Sequence, residues 1–196
     1  MDIKNYKLEE IADFNKNSIK NTDKLSIIEY LDTSSITENV ISEVSILDIA
    51  DAPSRAQRRV TNNTIIYSTV RPRLKHYGIL SAPKENMIVS TGFVTIDIKD
   101  EFKDSINAQF LYLLLTQSNI TDYIGSIAET GVSAYPSINP SDISSISFDF
   151  PNIKIQEAIS KTWFNFEQKI GLNILINQNL PILGHSLKEE EVRHAA

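Results

Sequence analysis

The sequence predicts an α+β protein: a compact β-rich domain with packed helices, followed by a long C-terminal helix of coiled-coil type. Three observations carry this. Between residues 26 and 98, short runs of β-branched and aromatic residues alternate with turn residues. Between residues 107 and 128, apolar side chains return at helical spacing. From Lys154 to Leu180 no proline interrupts a stretch whose seam positions alternate four and three apart.

In chain order, Leu8, Ile11, Ala12 and Phe14 predict a first helix from Lys7 to Phe14, and the polar "NKNSIKNTDK" after it reads as a loop. "SIIEYLDT" reads as a strand, and "ITENVISEV" as a hairpin turning at Glu38–Asn39. Asn62–Asn63 marks another turn, after which "TIIYSTV" supplies strand formers up to Pro72, which cannot donate to a ladder. "GILSAP" and "MIVSTGFVTIDI" are two more strands. "NAQFLYLLLTQSNITDYIGSIA" predicts one or two helices packed on the sheet. "ETGVSAYPSINPSD" is a Gly, Ser and Pro loop, and "ISSISFDFP" a last strand stopped by Pro151.

The stretch from Lys154 to Leu180 would span about 40 Å as a helix at 1.5 Å per residue. Its seam is Ile159, Trp163, Phe166, Ile170, Asn173, Asn177 and Leu180. Asparagines in such a seam fix register and partner number at some cost in stability. Leu172, Ile174, Leu175 and Ile176 add a second apolar stripe, so the helix is expected to have a partner beyond its own chain. The expected organisation is a β-rich domain over residues 1–152, a long partner-binding helix over 153–183, and a disordered tail over 184–196.

The chain is acidic, with net charge −6 over 196 residues, yet five of its six arginines fall between residues 55 and 73. Residues 51–79 hold Arg55, Arg58, Arg59, Arg71, Arg73 and Lys75 against Asp51 alone, which is +5 locally and leaves −11 for the rest. At physiological salt, charges act over about 8 Å, so a basic face can meet a polyanion while the far side stays acidic. The absence of cysteine excludes disulfides and thiolate metal sites and fits a reducing cytoplasm. No stretch reads as a signal peptide or a membrane span.

No catalytic constellation is legible. Gly-rich phosphate loops are absent. His76 stands alone beside arginines, and the other histidines, His185 and His194, sit near the C-terminus. "NPSD" and "DFPN" lack the aromatic residue that follows paired prolines in amino-methyltransferases, and "DEFK" lacks the second acid of a nuclease metal site. The residues therefore argue for a binder without metal or cofactor, whose chemistry is done by another protein.

The motif order resembles one half of the specificity subunit of type I restriction–modification systems. "YKLEEIADF", "EYLDTSSITENVI", "APSRAQRRVTNNTIIYSTVRP", "IVSTGFVTI" and "ETGVSAYPSINPSDISSISFDFPNIKIQEAIS" resemble that family's segments in its own order. Thr64 stands where the family has an acidic residue, and the chain has room for one recognition domain rather than two. The resemblance implies a domain that reads one half of a split double-stranded DNA target and a helix that docks methyltransferase (modification) subunits. A restriction subunit would join the full complex, and S-adenosylmethionine would belong to the methyltransferase.

On that footing the arginine window becomes the DNA-facing surface, because the planar guanidinium fork bonds two acceptors of a guanine or a phosphate at once. Arg58, Arg59 and Lys75 are assigned to phosphates, and Arg55, Arg71 and Arg73 to base edges, with Tyr67, Ser68, Thr91 and Tyr135 as further contacts. Two copies are expected to pair antiparallel through the seam, anchored by Trp163 and Phe166, and so to read an interrupted palindrome. Three alternatives stay open: a module that binds the methyltransferase without DNA, the detached recognition domain of a type II enzyme, and an enzyme with an unrecognised hydrolytic site.

Overall fold

The computed structural model describes residues 3–20, 22–130 and 136–194, with side chains up to Asn179. It divides into two units, Met1–Glu157 and Ala158–Ala196.

The first unit opens with β1 (Lys4–Lys7), a single helical turn α1 (Leu8–Ile11) and β2 (Ala12–Phe14). The helix expected from Lys7 to Phe14 is thus one turn followed by a strand. The Lys7 N–H donates to Glu10 Oε2 at 2.7 Å at the start of the turn. Lys99 Nζ donates to the carbonyls of Glu9 and Glu10 near its end. Ala12, Asp13 and Phe14 then take the partners Ile98, Asp97 and Ile96 across an antiparallel ladder. Sheet pairing outweighs the weak helical period.

Next come β3 (Ile27–Leu31), the hairpin β4 (Ile36–Thr37) and β5 (Val40–Ile41), β6 (Ser45–Asp48), β7 (Ala56–Arg59), β8 (Thr64–Ser68), β9 (Tyr77–Leu80), β10 (Met87–Ser90) and β11 (Phe93–Ile98). The turn at Glu38–Asn39 is present, both residues having positive φ, as a tight hairpin of this hand requires. "MIVSTGFVTIDI" is two strands rather than one. The chain breaks at Thr91–Gly92 and passes from one sheet to another: β10 lies in the sheet β6-β3-β10-β7 and β11 in the sheet β2-β11-β8-β9. β3 and β10 run parallel, and every other neighbour pair in the two sheets is antiparallel.

Leu31, Ile66, Leu80, Met87, Val89 and Phe93, drawn from both sheets, form one buried cluster together with Ile36 of the hairpin and Val60. Gly78 lets that hairpin seat: a Cβ there would lie 2.5 Å from Ile36 Cδ1 and 2.9 Å from Asn39 Oδ1. β8 also contacts the helix α2 (Ala108–Leu115), so all five of its residues are buried. α3 (Ser118–Thr130) follows α2 and packs it with Ile124 and Ala128 buried; α4 (Pro140–Ser144) is a short helix that runs from the end of the expected loop into the start of the expected last strand, and β12 (Ser147–Phe150) returns to pair with β1.

α5 (Ile153–His194) begins in the first unit and makes up the second. Gln156 is fully buried; its Oε1 accepts from the Asn107 N–H at 2.9 Å, and its Nε2 donates to the carbonyls of Ser105 and Pro151. Beyond it, Ile159, Trp163, Phe166 and Ile170 are exposed, as are Asn173, Asn177 and the second stripe of Leu172, Ile174, Leu175 and Ile176. The Leu180 side chain lies outside the described residues. Among the described residues no helix is long and apolar enough to cross a membrane.

Candidate nucleic-acid interface

The basic window is distributed over three settings by the strands that carry it. β7 and the turn before it supply Arg55, Arg58 and Arg59. The connection from β8 to β9 supplies Arg71, Arg73 and Lys75.

In the first setting, Arg55 and Arg71 line one open cleft of about 500 Å³, together with Thr33, Ser34 and His76. Both arginines are exposed, and Arg55 makes no ion pair among the described residues. Arg71 is held in the left-handed region at φ 48°, with its N–H donating to the Pro136 carbonyl at 2.8 Å. Thr91 sits at the passage between the sheets, and its N–H donates to the Arg55 carbonyl at 2.8 Å. His76 Nδ1 lies 2.6 Å from the Ile36 carbonyl, which can only accept, so this nitrogen carries the proton. Nε2 is then the ring atom left for another partner.

In the second setting, Arg59 lines a separate depression with Lys16, Lys20 and Lys84. Its Nη1 is 3.0 Å from Asp23 Oδ2, and Lys16 and Lys84 pair with Asp13 and Glu29. Arg58 is half-buried beside Ser18, and burial lowers the pKa of its guanidinium.

The third setting is a set of exposed ion pairs within the chain. Arg73 donates from Nε to Glu129 Oε1 at 2.7 Å and from Nη1 to Asp122 Oδ1 at 3.1 Å, lying across Gly125 of α3. A Cβ at Gly125 would come within 2.8 Å of the Arg73 side chain. Lys75 Nζ donates to Glu38 Oε1 at 2.6 Å. These pairs raise the pKa of both cations, and they are exposed, so a competing phosphate meets little resistance.

Tyr67 and Ser68, assigned to DNA contact from the sequence, are 0% and 1% exposed. Tyr67 lies on the strand buried on both faces, its ring stacked on Tyr77 at 5.3 Å, and burial pushes its hydroxyl up to about 12. Ser68 is turned into the loop, donating to the Val70 carbonyl at 2.9 Å. Both are corrected to scaffold roles: β8 is buried on both faces, so none of its five side chains reaches the surface. Tyr135 lies outside the described residues. Sequence reasoning missed Thr33, Ser34 and Ser137 as cleft residues, because chain segments more than 100 residues apart meet there and nothing local marks them.

No three Asp, Glu or His side chains among the described residues group to hold a metal ion. Chemically, the site offers guanidinium, hydroxyl and imidazole groups around one opening.

Comparison with known proteins follows the same line. The chain is 28% identical over 160 residues to the type I restriction enzyme HindI specificity subunit of Haemophilus influenzae, covering 82% of this chain and 34% of that protein. The fold matches the HsdS subunit of Thermoanaerobacter tengcongensis with TM-score 0.71 at 22% identity, over 86% of this chain and 43% of that one. It also matches a chain from work on complex assembly and conformational transition of the type I R-M system, with TM-score 0.72 at 23% identity, over 88% and 44%. The chain thus spans about a third of the curated relative's length. The family model of the type I restriction modification DNA specificity domain matches residues 1–181, and the chain belongs to that family.

Proposed function

We propose that this chain reads one half of a bipartite double-stranded DNA target and, through α5, docks methyltransferase subunits and pairs with a second copy of itself. The observation that carries the reading is the cleft that Arg55 and Arg71 share. Two guanidiniums at one opening suit paired acceptors on guanine, each good pair being worth about 1–3 kcal/mol of discrimination. Arg58, Arg59 and Lys75 serve as phosphate contacts around it. Arg73, assigned to base edges from the sequence, is tethered to α3 and better suits bracing the loop.

In this reading the chain itself is not catalytic. Methyl transfer, with S-adenosylmethionine, and cleavage belong to the methyltransferase and restriction subunits of the complex. The exposed α5 seam, with Trp163 and Phe166 as anchors, supports a homodimer that reads an interrupted palindrome.

A second reading draws on the ion pairs that neutralise Arg59, Arg73 and Lys75: a module that binds methyltransferase without DNA. One assay separates the two. The chain and its cognate methyltransferase are titrated into pools of duplexes at several salt concentrations. Arg55→Ala or Arg71→Ala is expected to relax preference at one base position. Arg59→Ala is expected to weaken all duplexes alike, with a salt slope shallower by about one phosphate. Unchanged binding in all three variants would favour the module without DNA contact.

A further inference from the structure

The connection from β8 to β9 presents an aliphatic side chain at the opening the arginines share. Leu74 is 50% exposed and Val70 37%, and both line the cleft with Arg55 and Arg71. Leu74 sits between two tethered cations, Arg73 on Asp122 and Glu129, and Lys75 on Glu38. Its backbone is fixed as well. The Leu74 N–H donates to the Arg71 carbonyl at 2.9 Å, the Lys75 N–H to Pro72 at 3.0 Å, and the Lys75 carbonyl accepts from Glu38 at 2.9 Å. Pro72 is buried beneath the turn. Arg71 and Lys75, on either side, are non-glycine residues in the left-handed region, at φ 48° and 58°. Such strain persists only where the surroundings over-determine it, and it gathers at ligand clamps.

A hydrogen-bonded turn that presents an exposed leucine between two cations, at an opening lined by Arg55 and Arg71, suits an apolar group on an otherwise polar ligand. Base edges in the major groove offer one, the 5-methyl of thymine. We propose that Leu74, backed by Val70, is a specificity-determining residue that packs against a thymine methyl next to the base pair read by Arg55 or Arg71. This rests on the half-site reading above.

The test is a uracil scan. Duplex sites are selected from a randomised library by the full chain with its methyltransferase, and each thymine of the selected site is then replaced by uracil, which lacks only the methyl. One replacement is expected to weaken binding about fourfold, the worth of one buried methyl. Leu74→Ala is expected to abolish that sensitivity while keeping the other base preferences. Indifference of the wild-type chain to every replacement overturns the inference and leaves half-site reading standing, without need of any variant. A Leu74→Ala chain as sensitive as wild type also overturns it. Failure to select any site contradicts the half-site reading itself.

Discussion

Gln156 holds three backbone groups at once, the Asn107 N–H and the carbonyls of Ser105 and Pro151, with no exposure to water. Removing it takes three hydrogen bonds from backbone groups, each worth about 0.5–1.5 kcal/mol. Gln156→Ala is expected to destabilise the first unit by at least that much, read as a lower urea midpoint. The glutamine was visible in the sequence as part of a family-like run, but two of its partners, Asn107 and Ser105, lie about 50 residues away, where no local pattern connects them. Asp97 is a second case. Burial raises its carboxyl pKa, opposed by the hydrogen bond from Thr64. A raised folded-state pKa means that the native chain holds this proton more tightly than the unfolded chain. The associated stability is full below about pH 3.9 and is lost as pH rises through the folded-state value. Asp97→Asn keeps an acceptor for Thr64 without the charge. It is expected to raise the urea midpoint at pH 7, and this advantage should shrink as pH falls toward 4. The same bond gives Thr64, the departure from the family pattern, a packing role.

At the scale of elements, what could be read from the sequence depended on how local the signal was. The Glu38–Asn39 hairpin, β3, α2, α3 and the last strand are set by residues within a few positions of one another. α1 and β2 were misread as one helix because the ladder to β11 comes from more than 80 residues away. The break at Thr91–Gly92 was hidden because both halves of the run have strand composition, and only the two-sheet packing separates them. α5 was legible from its spacing and its lack of proline, and Trp163 and Phe166 remain exposed along it. Trp163→Ala with Phe166→Ala is expected to hold the chain at single-chain mass by light scattering at concentrations where wild type pairs. A wild-type mass of one chain at high micromolar concentration would contradict self-pairing, leaving DNA reading untouched.

For the whole molecule, the basic window was legible as composition, but not its division. Residues close together along "RPRLK" end in different settings: Lys75 pairs with Glu38 and Arg73 with Asp122 and Glu129, and Arg71 lines the cleft with Arg55. With a net charge of −6, the chain alone is expected to bind DNA weakly, the methyltransferase supplying further phosphate contacts. Half-site reading by Arg55 and Arg71 is therefore tested best in the assembled complex, by mapping methylated positions on genomic DNA modified by this chain with its cognate methyltransferase. The expected result is one interrupted palindromic motif, which loses definition at a single position in each half when Arg55 is replaced by alanine. Methylation without a motif, or a motif untouched by both Arg55→Ala and Arg71→Ala, would contradict the account.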